Sequence, residues 1–321
     1  MLLKPPTVYG WEYHPSSNGV VPTDLVKNSL AQLRRQLGRF RVPSKGEAFQ
    51  AWSDGQLQVI TDRPSFRHRL RVFPVFGDEN VLLTNVLTQI KPRRVLDIGT
   101  GSGILAIAAA RAGAFAEATD INSRALAFAR MNARLNEVDD RIEFRLGSVF
   151  PPRSSTFDVI VSNPPFVPNP LRGRLHVAGD GGSLGTKVIL PILRDVRRFL
   201  SPDGCLIMMA MSLQRRGVPY VVELAERTLP SEFKLDVHLV YPDPLPLIDY
   251  SKLYAPYTGG STWAEQLSSR GFEELAYCLV VAQRKNRAIS AMPTPEPTTS
   301  MSGNWKARLR RYRCWLSTAH N

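Results

Sequence analysis

Residues 94–113 read RVLDIGTGSGILAIAAARAG, and this stretch decides the fold. The apolar run through Val95, Leu96 and Ile98 has the length and continuity of a strand buried on both faces. The alanine-rich run from Ile104 has the character of a buried helix, and Gly99, Gly101 and Gly103 mark a tight turn between the two. The alternation continues outward: FAEATD (115–120) then SRALAFARMNARLN (123–136), RIEFRL (141–146), FDVIVSN (157–163), a helix around Lys187 to Leu200, and CLIMMAMS (205–212). Continuous apolar strands alternating with helices predict an α/β domain: a Rossmann-like, doubly wound, mostly parallel seven-stranded sheet.

The domain is expected over residues 81–283, behind an N-terminal accessory region, 1–80. In that region Leu25, Val26, Leu30, Leu33 and Leu37 fall at helical spacing over 24–39 with Thr23 as N-cap, and WSDGQLQVITD suggests a short hairpin. Residues 72–87 follow as a loop and helix. A Pro/Tyr/Gly-rich insert spans 241–272, longer than a turn requires. Residues 284–321 are expected to be a flexible linker and basic tail, with eight basic residues against one acid.

The net charge is +13, and the tail carries about half of it, so it does not by itself make the folded body a nucleic-acid binder. The tail offers RNA, membrane lipid or an acidic protein as an electrostatic partner. Three widely spaced cysteines (Cys205, Cys278, Cys314) fit neither a disulfide framework nor a metal site, so a reducing, cytoplasmic compartment is the expectation. No apolar run reaches the ~18 residues of a membrane span, and the proline pair after MLLK argues against a secretory signal.

The glycine loop has two readings. GSGILA (101–106) fits the dinucleotide pattern G-x-G-x-x-G/A, which would make the chain a nicotinamide-dependent oxidoreductase. The acids offer another. Asp97 directly before the loop would meet a ligand amine, and Asp120, ending the next strand, would accept from both hydroxyls of a ribose. On the second reading D-x-G-x-G-x-G (97–103) resembles the loop of class I S-adenosylmethionine-dependent methyltransferases.

Asn163-Pro164-Pro165-Phe166 closes the fourth strand of the domain, 60 residues beyond Gly103. It is similar to the N/D-P-P-Y/F/W signature of methyltransferases acting on planar or amine nitrogens. Proline fixes φ and restricts the residue before it, so the Asn163 side-chain oxygen and a proline carbonyl are held as two acceptors for an NH₂ group. Phe166 supplies a π face for the acceptor plane. With GDGGSLGT (179–186) and the lead-in VFPVFGDENVLL (72–83), the stretch from about Val72 to Ser212 most resembles HemK-type protein glutamine methyltransferases of the small methyltransferase domain superfamily.

That resemblance implies S-adenosyl-L-methionine as cofactor and an amide or amine nitrogen as acceptor. The favoured acceptor is a protein or peptide side-chain amide, with a nucleic-acid base or small metabolite as alternatives. It implies Asn163, Pro164, Pro165 and Phe166 as catalytic residues. Asp97, Gly99, Thr100, Gly101, Gly103, Asp120, Ile121, Asn122, Ser148 and Asn163 are implied as the cofactor site. Phenylalanine stands where HemK-like enzymes usually carry tyrosine, and Ser148 where they often carry an acid. Beyond the motifs, His176 reads as an ordinary surface-loop residue and Asp180 as one within reach of substrate. Thr186 reads as a helix cap, the Met208–Met209–Met211 group as core, and Tyr254, Tyr257 and Trp263 as a substrate wall or sheet-edge packing.

Overall fold

The computed structural model describes residues 49–53, 57–62, 68–72, 77–152, 156–171, 175–241, 243–255 and 262–285. The helix expected over 24–39, Tyr257, the 291–304 linker and nearly all of the basic tail lie outside the described residues.

Among the described residues a hairpin of β1 (Phe49–Ser53) and β2 (Gln58–Asp62) comes first, as WSDGQLQVITD predicts. Then follow α1 (Gly77–Ile90), β3 (Arg94–Ile98), α2 (Ile104–Arg111), β4 (Phe115–Asp120), α3 (Ser123–Leu135), β5 (Ile142–Leu146) and β6 (Phe157–Ser162). The chain continues through α4 (Ile189–Asp195), β7 (Leu200–Arg215), β8 (Val218–Pro219), α5 (Tyr220–Thr228), β9 (Phe233–Leu239), β10 (Leu245–Pro246), α6 (Leu247–Ser251), α7 (Trp263–Ser268) and β11 (Glu274–Arg284).

Seven long strands form one sheet in the order β9-β11-β7-β6-β3-β4-β5. Two-residue pieces β8 and β10 pair with β7 and β11 and bring the strand count to nine. Strands β3 to β7 are parallel, and β11 runs antiparallel to both neighbours. The mostly parallel α/β sheet expected from the sequence is the architecture observed. Met208, Met209 and Met211 are buried in β7, as core residues.

Three boundaries differ from expectation. The helix expected to reach Leu200 ends at Asp195, and a single 3-10 turn over Val196–Arg198 leads directly into β7. Strand β7 begins at Leu200, five residues before Cys205, because the bulge between Phe157↔Leu200 and Val159↔Cys205 absorbs Ser201–Gly204. The domain boundary at residue 80 falls inside α1.

The described part of the accessory region belongs to the domain's packing. Phe49 and Ile60 join a small core with Phe128, Met131 and Leu135 of α3. Two asparagines one helical turn apart fix the hairpin. Asn132 accepts from the Ile60 N–H (2.8 Å) and donates to the Ile60 carbonyl (3.0 Å) and the Ser102 carbonyl (2.8 Å), while Asn136 accepts from the Gln58 N–H (3.0 Å). Asn132 is fully buried, so Asn132→Ala leaves three backbone groups unpaired. It is expected to destabilise the protein by about 3 kcal/mol, read as a shift of the urea midpoint at constant slope.

Candidate active site

Strand β3 lies between β4 and β6, so the chain winds away from it in both directions. The carboxyl ends of parallel strands at such a reversal leave a crevice where ligands bind in open α/β sheets. Here that crevice gathers the glycine loop after β3, Asp120 at the end of β4, Ser148 after β5, and Asn163–Phe166 after β6.

The loop's backbone geometry explains its glycines. Gly99, Gly101 and Gly103 have φ of 71°, 56° and 87°, which strains any residue with a Cβ. At Gly103 a Cβ would also stand 3.0 Å from that of Ala129, so this glycine lets α2 pack on α3. Four of the loop's N–H groups are already used. Those of Gly99 and Thr100 donate to the Thr119 carbonyl, that of Gly101 to Asp120 Oδ2 (2.9 Å), and that of Gly103 to the Thr100 carbonyl. These four groups are therefore not free to receive a pyrophosphate.

Acceptors take the opposite role. Asp97 is buried, and its Oδ2 accepts from the Thr100 hydroxyl (2.6 Å) and from the Ala106 N–H (3.1 Å) at the start of α2. Its Oδ1 is buried without a hydrogen-bond partner. Burial lifts the carboxyl from 3.8 to about 7 against those two hydrogen bonds, and nearby Asp120 adds to the rise. Asp120 accepts from Gly101 N–H through Oδ2 and from Asn122 N–H through Oδ1 (2.8 Å), and burial raises its pKa against both bonds. It ties the loop down and keeps lone pairs for further donors.

Ile121, beside Asp120, is 64% exposed, an apolar side chain open at the crevice. Asn122 is less available than its neighbours suggest. Its oxygen caps α3 by accepting from Arg124 N–H, and its amide donates to the Leu70 carbonyl (3.0 Å). Ser148 is exposed, and Thr100 acts by holding Asp97.

At the end of β6, Ser162 Oγ donates to the Ile98 carbonyl (2.8 Å), which fixes this strand end against β3. Asn163 follows, with its Nδ2 donating to Asn80 Oδ1 of α1 (3.3 Å) and its Oδ1 buried without a hydrogen-bond partner. Among the described residues, the crevice thus has two buried acceptor oxygens without a hydrogen-bond partner, Asp97 Oδ1 near the end of β3 and Asn163 Oδ1 directly after β6. Phe166 differs from the open stacking face expected of it. It is 7% exposed and meets the Tyr277 ring edge-on at 5.5 Å, because β11 passes beneath it.

GDGGSLG packs directly on the motif. A Cβ at Gly181 would fall 2.6 Å from the Phe166 carbonyl carbon, and one at Gly185 2.7 Å from the Phe166 oxygen. Asp180 holds the loop by accepting from Lys187 Nζ (2.7 Å), Asn169 Nδ2 and Gly182 N–H. Burial raises its pKa, but these partners outweigh burial and keep the carboxyl below its ordinary range. Two assignments in this loop are corrected. His176 is buried, 3.3 Å from Arg71, and burial and that guanidinium lower its pKa to about 3. The side chain of Thr186 caps nothing, since α4 starts after Val188 without a side-chain cap.

The Tyr-rich insert packs on the same loop instead of forming an open wall. Tyr250 and Tyr254 both donate to the Pro168 carbonyl (2.7 and 3.2 Å), and Trp263 Nε1 donates to Ser183 Oγ (3.1 Å). All three aromatic side chains are buried. The double change Tyr250→Phe, Tyr254→Phe takes both hydroxyls from a buried carbonyl. We expect a loss of about 1 to 3 kcal/mol in urea denaturation.

Comparison with known proteins places the chain in one family. The methyltransferase small domain profile matches residues 77–218. The ribosomal protein uL3 glutamine methyltransferase of Bradyrhizobium diazoefficiens is 40% identical over 125 residues, 36% of this chain and 39% of that protein. The release factor glutamine methyltransferase of Gloeobacter violaceus is 37% identical over 146 residues, 42% of this chain and 50% of that protein. A Methanocaldococcus jannaschii protein provisionally named a protein N5-glutamine methyltransferase is 30% identical over 166 residues, 50% of this chain and 81% of its own length. The chain thus spans half or less of the two bacterial relatives and most of the archaeal one. It belongs to the methyltransferase small domain family.

Proposed function

We propose that the protein is an S-adenosyl-L-methionine-dependent N-methyltransferase whose acceptor is a glutamine side-chain amide in a protein. One observation carries the chemistry. The crevice offers unpaired acceptor oxygens, Asp97 Oδ1 and Asn163 Oδ1, where a phosphate site would offer donors. Asp97 suits the cofactor's ammonium, Asp120 its ribose hydroxyls, and exposed Ile121 an apolar face of its adenine. A pyrophosphate beside Asp97 would meet a buried carboxyl group and a loop with four N–H groups in use, which speaks against the nicotinamide reading.

The bound cofactor supplies an electrophilic sulfonium methyl. The protein's task would be orientation: Asn163 Oδ1 would accept one amide hydrogen of the acceptor and a carbonyl of the Pro164–Pro165 pair the other, turning the nitrogen toward the cofactor, and the proton that the nitrogen gives up on methylation would pass to solvent. The relatives named for glutamine methylation of uL3 and release factors support a protein amide. Acceptance by RNA or a small metabolite gains no such support, and Tyr250, Tyr254 and Trp263 of the insert are used in packing.

The test is transfer of a labelled methyl into separated protein, RNA and small-molecule fractions. Label should appear in protein, with peptide mass spectrometry placing one added methylene on glutamine. Label confined to RNA or to small molecules would sink the proposal, as would calorimetric binding of NAD in place of S-adenosylmethionine. The soluble or bound state of the chain is a separate matter: among the described residues no helix is long and apolar enough to cross a membrane.

A further inference from the structure

Two consecutive residues in the first turn of α1 hold opposite ends of the NPPF motif. Glu79 Oε1 accepts from the Tyr277 hydroxyl (2.6 Å), and the Tyr277 ring carries Phe166 edge-on. Asn80 Oδ1 accepts from Asn163 Nδ2 (3.3 Å). The core-facing residues of α1, Leu82, Leu83, Val86 and Leu87, account for its packing, so the contact between Asn80 and Asn163 is additional to what docks the helix.

A primary amide is nearly symmetric in shape but opposite in hydrogen-bonding sense at its two ends. Half a turn about χ2 of Asn163 would exchange Oδ1 for Nδ2, presenting two donors to an acceptor nitrogen that itself bears hydrogens. Asn80 is the partner that Nδ2 meets, and Oδ1 meets none. With Asn80 turned as observed, its oxygen toward Nδ2, position 80 favours the orientation that leaves Asn163 Oδ1 without a partner among the described residues.

We propose that Asn80 is a positioning residue that sets the Asn163 amide for attack, without itself touching the acceptor. This rests on the amide-methyltransferase reading, and one readout is chosen to stand apart from it. In ¹⁵N spectra of the full chain the Asn163 side-chain NH₂ pair is identified by its loss in Asn163→Ala. Asn80→Ala should shift or broaden that pair, whereas Asn80→Asp, which can only accept, should keep it sharp. In turnover, Asn80→Ala should lower kcat roughly tenfold while cofactor affinity is unchanged, and Asn80→Asp should recover it to within about twofold. In an Asn163→Ala background, Asn80→Ala should have no further effect.

An Asn163 signal indifferent to Asn80→Ala overturns the proposal. So does an equal fold-loss from Asn80→Ala in both backgrounds. If the signal responds as expected but the wild-type chain methylates no protein amide, the positioning role stands and the functional reading fails.

Discussion

Replacing Asn163 with alanine lowers methyl transfer roughly 100- to 1000-fold while leaving cofactor affinity close to that of the wild type. The size follows from what the side chain does. Its Oδ1 is a buried acceptor without a partner among the described residues at the end of β6, and on the proposed chemistry its loss would take from the acceptor nitrogen the group that turns its lone pair toward the methyl. Because the interaction tightens as attack proceeds, kcat and kcat/KM should fall together. A rise in KM alone, with kcat intact, would show that Asn163 binds the acceptor without orienting it. Fold integrity is checked in the same samples by thermal unfolding, and Asn163→Asp, which keeps an acceptor, should retain more turnover than alanine.

The second large effect is at Asp97. With the carboxyl lifted to about 7, the ligand-free site carries a protonated Asp97 in mild acid and an unpaired carboxylate in base. Cofactor affinity should therefore weaken about tenfold per unit as pH falls below 7, since binding an ammonium requires the ionised form. Asp97→Asn should weaken binding about 100-fold at pH 8, on the scale of one charged hydrogen-bonded contact. It should also flatten the dependence over the range where Asp97 titrates.

Stability moves the other way. A folded pKa above the free-chain value of 3.8 means that the group's contribution is complete below 3.8 and is lost as pH rises through about 7. The loss grows by roughly 1.4 kcal/mol per unit in that window. Ligand-free Asp97→Asn should accordingly melt above the wild type at pH 8, with the gap closing near pH 4. Calorimetric titrations across pH 5 to 8.5 and melting curves across pH 4 to 8.5 check both. A wild-type affinity that ignores pH would mean that Asp97 is ionised by a partner before the cofactor arrives.

The parts of the site legible in the sequence are those whose causes are local. Gly99, Gly101 and Gly103 are read directly because a strand-to-helix turn with positive φ admits little else, and Asn163-Pro164-Pro165 because proline restricts its own neighbours. The alternation around them gave the parallel sheet. What escaped depends on residues far apart in the chain. Asn132 and Asn136 look like ordinary polar positions of an amphipathic helix, yet their partners lie 72 and 78 residues away.

The burial of His176 is hidden for a similar reason, since its partner Arg71 is 105 residues distant. Tyr277 sits in a strand indistinguishable from plain core, and nothing short of the fold reveals Glu79 across 198 residues. The described hairpin could not be assigned to the domain from sequence, because two strands alone do not say which surface covers them.

The place of β11 in the sheet bears on how the protein comes into being. This strand is made after both of the strands it joins, pairing with β7 through Cys205–Gln214 and with β9 through Phe233–Leu239. During synthesis the β3–β7 portion, with its glycine loop, can assemble while β7 still presents an open edge. Tyr277 then arrives on β11 and supplies the support for Phe166 and the link to Glu79. A nascent chain can thus shape the glycine loop before β11 is available to support Phe166, so the two halves of the crevice depend on different lengths of finished chain.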